Sequence, residues 1–228
     1  MDTSSPKASV ANAFNKELDK LMKDDPNVVV GGQLIKYGVA GLTTGLWEKY
    51  KDRFITYSVS ESLMNSSAMG LALAGKHVVM IHVRIDFLAS GMCALVNHIP
   101  IWYKKGINLP ITIVCQVGKG MGQGAQHSKD LSPWFIGFEG WNVVIPNSPQ
   151  DAAGQLRNSV RGSKPTLYVL HRELFDQEDQ VDLPTPSNQI KLCGASQTHE
   201  KEFYGNRFIS ARSKLKLPEQ DQHSELKL

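Results

Sequence analysis

Glu61 stands in the stretch Tyr57-Ser58-Val59-Ser60-Glu61-Ser62, where a β-branched run gives way to a segment rich in Ala, Ser and Gly. A carboxylate at such a junction points off the edge of a sheet into a crevice. Open α/β sheets bind ligands in crevices of this kind, at the carboxyl ends of their strands. There it could exchange a proton with a bound ligand. The same residues also read as a capping box, Ser58-x-x-Glu61, in which Ser58 caps the helix and Glu61 reaches back to a backbone N–H. His127 is the second candidate. It closes the glycine-rich segment Gly118-Lys-Gly120-Met-Gly122-Gln-Gly124-Ala125, beside Ser128. An imidazole titrates near neutrality and suits proton exchange with a substrate.

The glycine segment contains a G-x-G-x-x-A match beginning at Gly120. A dinucleotide fingerprint, however, belongs to the first βαβ unit of a chain, and this loop comes after several strands. The next strand ends in Ile145-Pro146-Asn147, which offers no acid to hold a ribose. A flexible active-site loop fits better, since glycine lets the backbone approach a ligand closely. Neither a G-x-x-x-x-G-K-[ST] loop nor a G-x-S-x-G elbow is present. His82 lies in a strand and His98 on a helix without a second ligand at metal spacing, so the sequence reads as having no metal site.

Elements that must position these groups follow from the patterning. Val10, Phe14, Leu18, Leu21 and Met22 recur at helical spacing and stop at Asp24-Asp25-Pro26. Residues 28–32, 54–57, 78–83, 111–117, 142–145 and 166–170 read as strands. Residues 42–50, 63–75, 86–103, 131–138 and 149–161 read as helices, the third of them bent or frayed near Pro100. Continuous apolar strands alternating with helices imply a mostly parallel α/β sheet covered on both faces. Residues 1–8 read as disordered, 9–175 as one domain, and 176–228, with their mixed Lys, Glu, Gln and Ser, as a poorly ordered extension.

At 228 residues, 41% apolar and 21% charged, the chain can bury a substantial core. A net charge of +3 is too small to argue for nucleic acid or an anionic membrane as a partner. No apolar run approaches the length of a membrane span. The polar N-terminus shows no secretory signal. Of three widely spaced cysteines, Cys93, Cys115 and Cys193, the first two read as reduced. A cytoplasmic or mitochondrial-matrix setting is the expectation.

Several segments, taken in order, carry a resemblance: Gly45-Leu-Trp-Glu-Lys-Tyr50, Val59-Ser-Glu-Ser62, Gly70-x-Ala-x-Ala-Gly75, Asp86-Phe87, Ala125-Gln-His-Ser128, Trp141-Asn-Val-Val-Ile-Pro146 and Ser148-Pro-Gln-Asp-Ala152. Across residues 10–175 the chain resembles the pyrimidine-binding domain of thiamine-diphosphate enzymes. It is most similar to the beta subunit of the decarboxylating component of 2-oxo acid dehydrogenases such as pyruvate dehydrogenase. The resemblance implies that Glu61 hydrogen-bonds the aminopyrimidine nitrogen N1′ of thiamine diphosphate. Phe87 would stack on that ring, Val83 would line the pocket, and His127 would face the substrate. The carboxylate would promote the imino tautomer, so that the cofactor can act as an electron sink for decarboxylation. A partly buried glutamate suits that task.

Three departures accompany the likeness. Gly32-Gln33-Leu34 stands where the family usually has an acid after the first strand, which bears on the proton relay between paired sites. The glycine-aspartate-glycine motif for metal and diphosphate is missing. The second α/β domain, the C-terminal swivel domain, is expected to be absent, with Lys191-Leu-Cys-Gly-Ala195 a remnant of its entry. The resemblance therefore implies a diphosphate-binding alpha-type partner subunit that holds magnesium, in a homodimer or heterotetramer acting on a small-molecule 2-oxo acid. Half of a split transketolase, or a truncated non-catalytic regulatory homologue, are the alternatives.

Overall fold

The computed structural model describes residues 7–176 and 178–180. Helix α1 (Val10–Asp24) opens the domain. Ser9 caps it by accepting the Asn12 N–H at 3.2 Å, and Val10, Phe14, Leu18, Leu21 and Met22 form its buried stripe. Strands β2 (Val28–Gly32), β3 (Phe54–Thr56), β4 (His77–His82), β5 (Ile111–Val117), β6 (Asn142–Val144) and β7 (Thr166–His171) form one sheet in the order β3-β2-β4-β5-β7-β6. Every pairing in that sheet is parallel. The fold is therefore the mostly parallel α/β sheet that the patterning implies.

Successive strand residues point to opposite faces, and this alternation divides the interior into two cores. Val28, Val30, Val79, Ile81, Val114, Tyr168 and Leu170 face α1 and helix α6 (Pro149–Arg161). Val29, Val78, Met80, Ile113, Cys115 and Leu167 face helix α3 (Glu61–Leu73), residues 85–99 and helix α5 (Ser132–Ile136). Strands buried on both faces lack any polar alternation, as β5 illustrates with seven buried residues. On the first face, α1 and α6 are also joined by a buried ion pair. Arg157 Nε and Nη2 donate to the two carboxylate oxygens of Glu17 at 2.7 and 2.6 Å. The fully buried Tyr168 hydroxyl donates to the Ala152 carbonyl of α6 at 2.6 Å.

Three local expectations are corrected. Within residues 42–50, only α2 (Leu46–Tyr50) is α-helical. Gly45, at φ 72°, holds a left-handed backbone that a continuing helix cannot contain. The helix expected over residues 86–103 is three pieces: a 3₁₀ segment Ile85–Gly91, a π-helical segment Cys93–His98 and helix α4 (Ile99–Lys104). The first is bent by 74° from the rest. Pro100 supplies no N–H and crowds the carbonyl four residues back. The turn before it widens accordingly, with the Ile99 N–H reaching the Ala94 carbonyl five residues away.

The third correction concerns the ends. Strand β1 (Lys7–Ser9), of which Lys7 and Ala8 carry no local pattern, pairs antiparallel with β8 (Glu178–Gln180). A three-residue pairing between segments so distant in the chain leaves no periodic signal in either. Residues 1–6 and 181–228, and so the rest of the expected disorder, lie outside the described residues. Among the described residues no single helix is long and apolar enough to cross a membrane.

Candidate active site

From β2 the chain moves to β3 on one side and then returns to β4 on the other, so the strand order reverses between β2 and β4. Ligands of open α/β sheets lie outside the carboxyl ends of strands at such a reversal. A cavity of about 440 Å³ opens there, within the range of small-molecule sites. Gln33 and Leu34 enter it after β2, Glu61 after β3, His82, Val83, Arg84 and Phe87 at and after β4, and Gln123 and His127 after β5.

Glu61 is the first residue of α3, half-buried, where the N-terminal turn favours a carboxylate. The capping-box reading is not realised. Ser60, not Ser58, is the cap, accepting the Leu63 N–H at 3.3 Å. The Glu61 carboxylate instead lies 3.0 Å from the Ser90 hydroxyl, whose one proton also has the Phe87 carbonyl within reach at 2.8 Å, and the Ser62 hydroxyl donates to the Ser90 carbonyl at 2.8 Å. Ser90 lies on the 3₁₀ segment, so the break in the expected long helix is what brings its hydroxyl to Glu61.

Phe87 remains 39% exposed beside the cleft. Its ring meets the His127 imidazole edge-to-face, with centroids 5.4 Å apart and planes at 85°. His127 is half-buried, and its Nδ1 is buried without a hydrogen-bond partner among the described residues. An orphaned polar atom on a cleft wall suits a ligand group. The glycine loop packs His127 close: a Cβ at Gly118 would lie 2.4 Å from the His127 carbonyl oxygen. Leu34 holds a left-handed backbone at φ 58°, unusual for a branched apolar residue and placed at the cleft rim.

His82 is the residue that sequence reasoning set aside. It is 3% exposed yet lines the cleft. Its Nε2 lies 2.9 Å from Asn65 Oδ1, while Asn65 Nδ2 donates to the Gly91 carbonyl at 3.3 Å. That amide orientation makes Oδ1 the acceptor and assigns the imidazole proton to Nε2. Burial pushes the His82 pKa down to about 3, so the ring stays neutral at neutral pH. Its position as the last residue of a strand at the ligand-binding edge is the signal that could have marked it. Among the described residues no three His, Cys, Asp or Glu side chains gather as a metal-ligand set.

Fold and site together define an α/β domain with a cleft at its β2/β4 edge. The chain belongs to the family of the transketolase pyrimidine-binding domain, whose model matches residues 6–177. It is 31% identical over 190 residues to the beta subunit of acetoin:2,6-dichlorophenolindophenol oxidoreductase of Cupriavidus necator, covering 77% of this chain and 56% of that protein. It is 29% identical over 197 residues to the mitochondrial pyruvate dehydrogenase E1 component subunit beta of Caenorhabditis elegans, covering 81% and 56%. The chain thus spans about half the length of these relatives. Among solved structures, transketolase from Leishmania mexicana superposes with a TM-score of 0.64 at 17% identity, over 86% of this chain and 28% of that one. A split-gene transketolase, solved as an inactive beta4 tetramer, gives 0.60 at 18% identity, over 79% and 55%. Both likenesses establish the fold.

Proposed function

We propose that this chain is the pyrimidine-binding, beta-type part of a thiamine-diphosphate enzyme that decarboxylates a 2-oxo acid such as pyruvate. The observation that carries this reading is the convergence of Glu61, Phe87 and His127 on one cleft at the strand-order reversal. The donor set fits an aminopyrimidine ring. It offers one carboxylate for a ring nitrogen, an exposed aromatic ring for stacking, and an imidazole in the wall.

Bound thiamine diphosphate would supply the nucleophile and the electron sink for cleaving the bond beside a 2-oxo carbon. The rest falls to the chain's own groups. Glu61 would hydrogen-bond N1′ and exchange a proton there, its Oε2 standing 3.0 Å from the Ser90 hydroxyl. Phe87 and Val83, which line the cleft, would cover the ring and exclude water. His127, steadied against Phe87, would face the substrate from the cleft wall. His82 remains a neutral, Asn65-anchored part of the wall.

The diphosphate carries most of the cofactor's charge and needs a divalent metal with oxygen ligands. Stacking and one hydrogen bond from this chain supply a few kcal/mol at most, about millimolar binding or weaker. The reading therefore includes a diphosphate-binding alpha-type subunit that holds magnesium, joined in a heterotetramer. Calorimetry tests it. Thiamine diphosphate with magnesium should give no detectable heat with the chain alone and micromolar binding once such a subunit is added. Micromolar, magnesium-dependent binding by a verified monomer would overturn the shared-site reading.

A further inference from the structure

Arg84 follows β4 in the wall of the cleft and is only 7% exposed. A buried guanidinium is ordinarily matched by a carboxylate. Arg157 shows the usual solution in this chain: its Nε and Nη2, which form one edge of the guanidinium, hold both oxygens of Glu17 at 2.7 and 2.6 Å. In Arg84 the corresponding edge is half used. Nη2 donates to the Gln123 side-chain oxygen, and Nε is buried without an acceptor. Nη1 donates to the Val83 carbonyl at 2.9 Å. Both acceptors are neutral, and among the described residues no carboxylate forms an ion pair with Arg84.

Nearby charges leave the imbalance in place. Arg172 adds to the positive potential and Asp86 opposes it, but Asp86 Oδ1 is engaged by the Lys129 N–H at 3.0 Å. Burial first, then Arg172, holds the Arg84 pKa below its ordinary value. Arginine remains charged at neutral pH all the same. Glu61 shares the cleft without pairing with Arg84. Gly118 packs against the unused edge without a side chain, since a Cβ there would stand 2.8 Å from Nε. Gln123 is exposed on a loop whose Gly122 and Gly124 sit at φ 68° and 84°, and a neutral amide is a weaker acceptor than an anion.

We propose that the Nε/Nη2 edge of Arg84 binds the oxyanion of the substrate, displacing Gln123. The oxyanion is the carboxylate of a 2-oxo acid or the phosphate of a phosphorylated sugar, and the proposal rests on reading this cleft as the substrate's. The test follows the Arg84 Nε–H resonance of the full chain by ¹H–¹⁵N NMR, assigned through its loss in Arg84→Lys. Pyruvate, inorganic phosphate and pyruvamide, which keeps pyruvate's carbon frame without its charge, are titrated in turn. A saturable shift with pyruvate assigns the carboxylate, and one with phosphate assigns the phosphate. Pyruvamide should leave the signal unmoved. Anion affinity, read from the backbone amides of the glycine loop, should fall about tenfold in Arg84→Lys, which keeps the charge but lacks the fork. It should vanish in Arg84→Gln, and Gln123→Ala should tighten binding.

Equal shifts with pyruvamide, no shift with either anion, or undiminished affinity in Arg84→Lys would overturn the assignment. Because the titration contains no thiamine diphosphate, it separates from the cofactor reading. Anion binding by the chain, without cofactor binding in the calorimetry when the diphosphate-binding subunit is present, would leave Arg84 standing and sink the enzyme class. The reverse pair of results would remove Arg84 alone.

Discussion

Gly91 gives the sharpest test of how the fold builds the site. It ends the 3₁₀ segment, is buried, and packs against the first turn of α3. A Cβ there would lie 2.4 Å from Asn65 Nδ2 and 2.9 Å from both the carbonyl carbon and oxygen of Glu61. The Glu61 backbone cannot yield cheaply, because the Ser60 cap and the α3 hydrogen bonds hold it. Asn65 cannot turn away without losing its bonds to Gly91 and His82. Overpacking of this kind costs about 1–3 kcal/mol, and a lost buried hydrogen bond adds about 1 kcal/mol. Gly91→Ala should therefore destabilise by roughly 2–4 kcal/mol, lowering Tm by about 4–16 °C for a domain of this size. Gly70→Ala is the control. It lies in α3 with no atom within 4 Å of a new Cβ, and should stabilise by about 0.5–1 kcal/mol. Calorimetric melting of both variants reads the difference. A Gly91→Ala melting point equal to wild type, or a shift of the same sign in both, would refute the packing argument.

Glu17→Ala removes the carboxylate that holds the buried Nε/Nη2 edge of Arg157 and should cost about 3–5 kcal/mol in urea unfolding, whereas a cost under about 1 kcal/mol would show the pair to be dispensable. His82 predicts a pH dependence. Its folded pKa, about 3, lies below the ordinary 6.5, so the unfolded chain takes up the proton first as acid is added. Its contribution is complete above about pH 6.5 and is lost at about 1.4 kcal/mol per pH unit down to about pH 3. His82→Phe should flatten the fall in unfolding free energy between pH 6 and pH 4. Parallel slopes for the two proteins would contradict the buried neutral imidazole.

Periodicity made most of the scaffold legible. β5 and α6 are where unbroken apolar runs and a Ser-Pro start place them, because a doubly covered strand and an amphipathic capped helix each write a local signature. Glu61 and His127 stood out because each follows a strand, Phe87 only through the family resemblance, and in the fold all three line one cleft. What stayed hidden depends on contacts between distant residues. Nothing near Ser90 announces that it will donate to Glu61, since that contact exists only because the segment bends before Pro100. Ser58 and Ser60 are equally good caps in sequence, and packing against Gly91 and Ser90 accompanies the choice of the second. Arg84 and His82 look like ordinary strand-end residues until the missing carboxylate of one and the Asn65 partner of the other are seen.

The central claim is that Glu61 serves a cofactor ring and does not merely begin a helix. Turnover of a 2-oxo acid by Glu61→Gln, in complex with a diphosphate-binding subunit, thiamine diphosphate and magnesium, tests it most directly. The substitution keeps the shape and an acceptor for Ser90, so the melting temperature should stay near wild type. Turnover should fall by at least about 100-fold, the lower end of what a positioned acid–base group contributes. Wild-type turnover in that complex would contradict the claim.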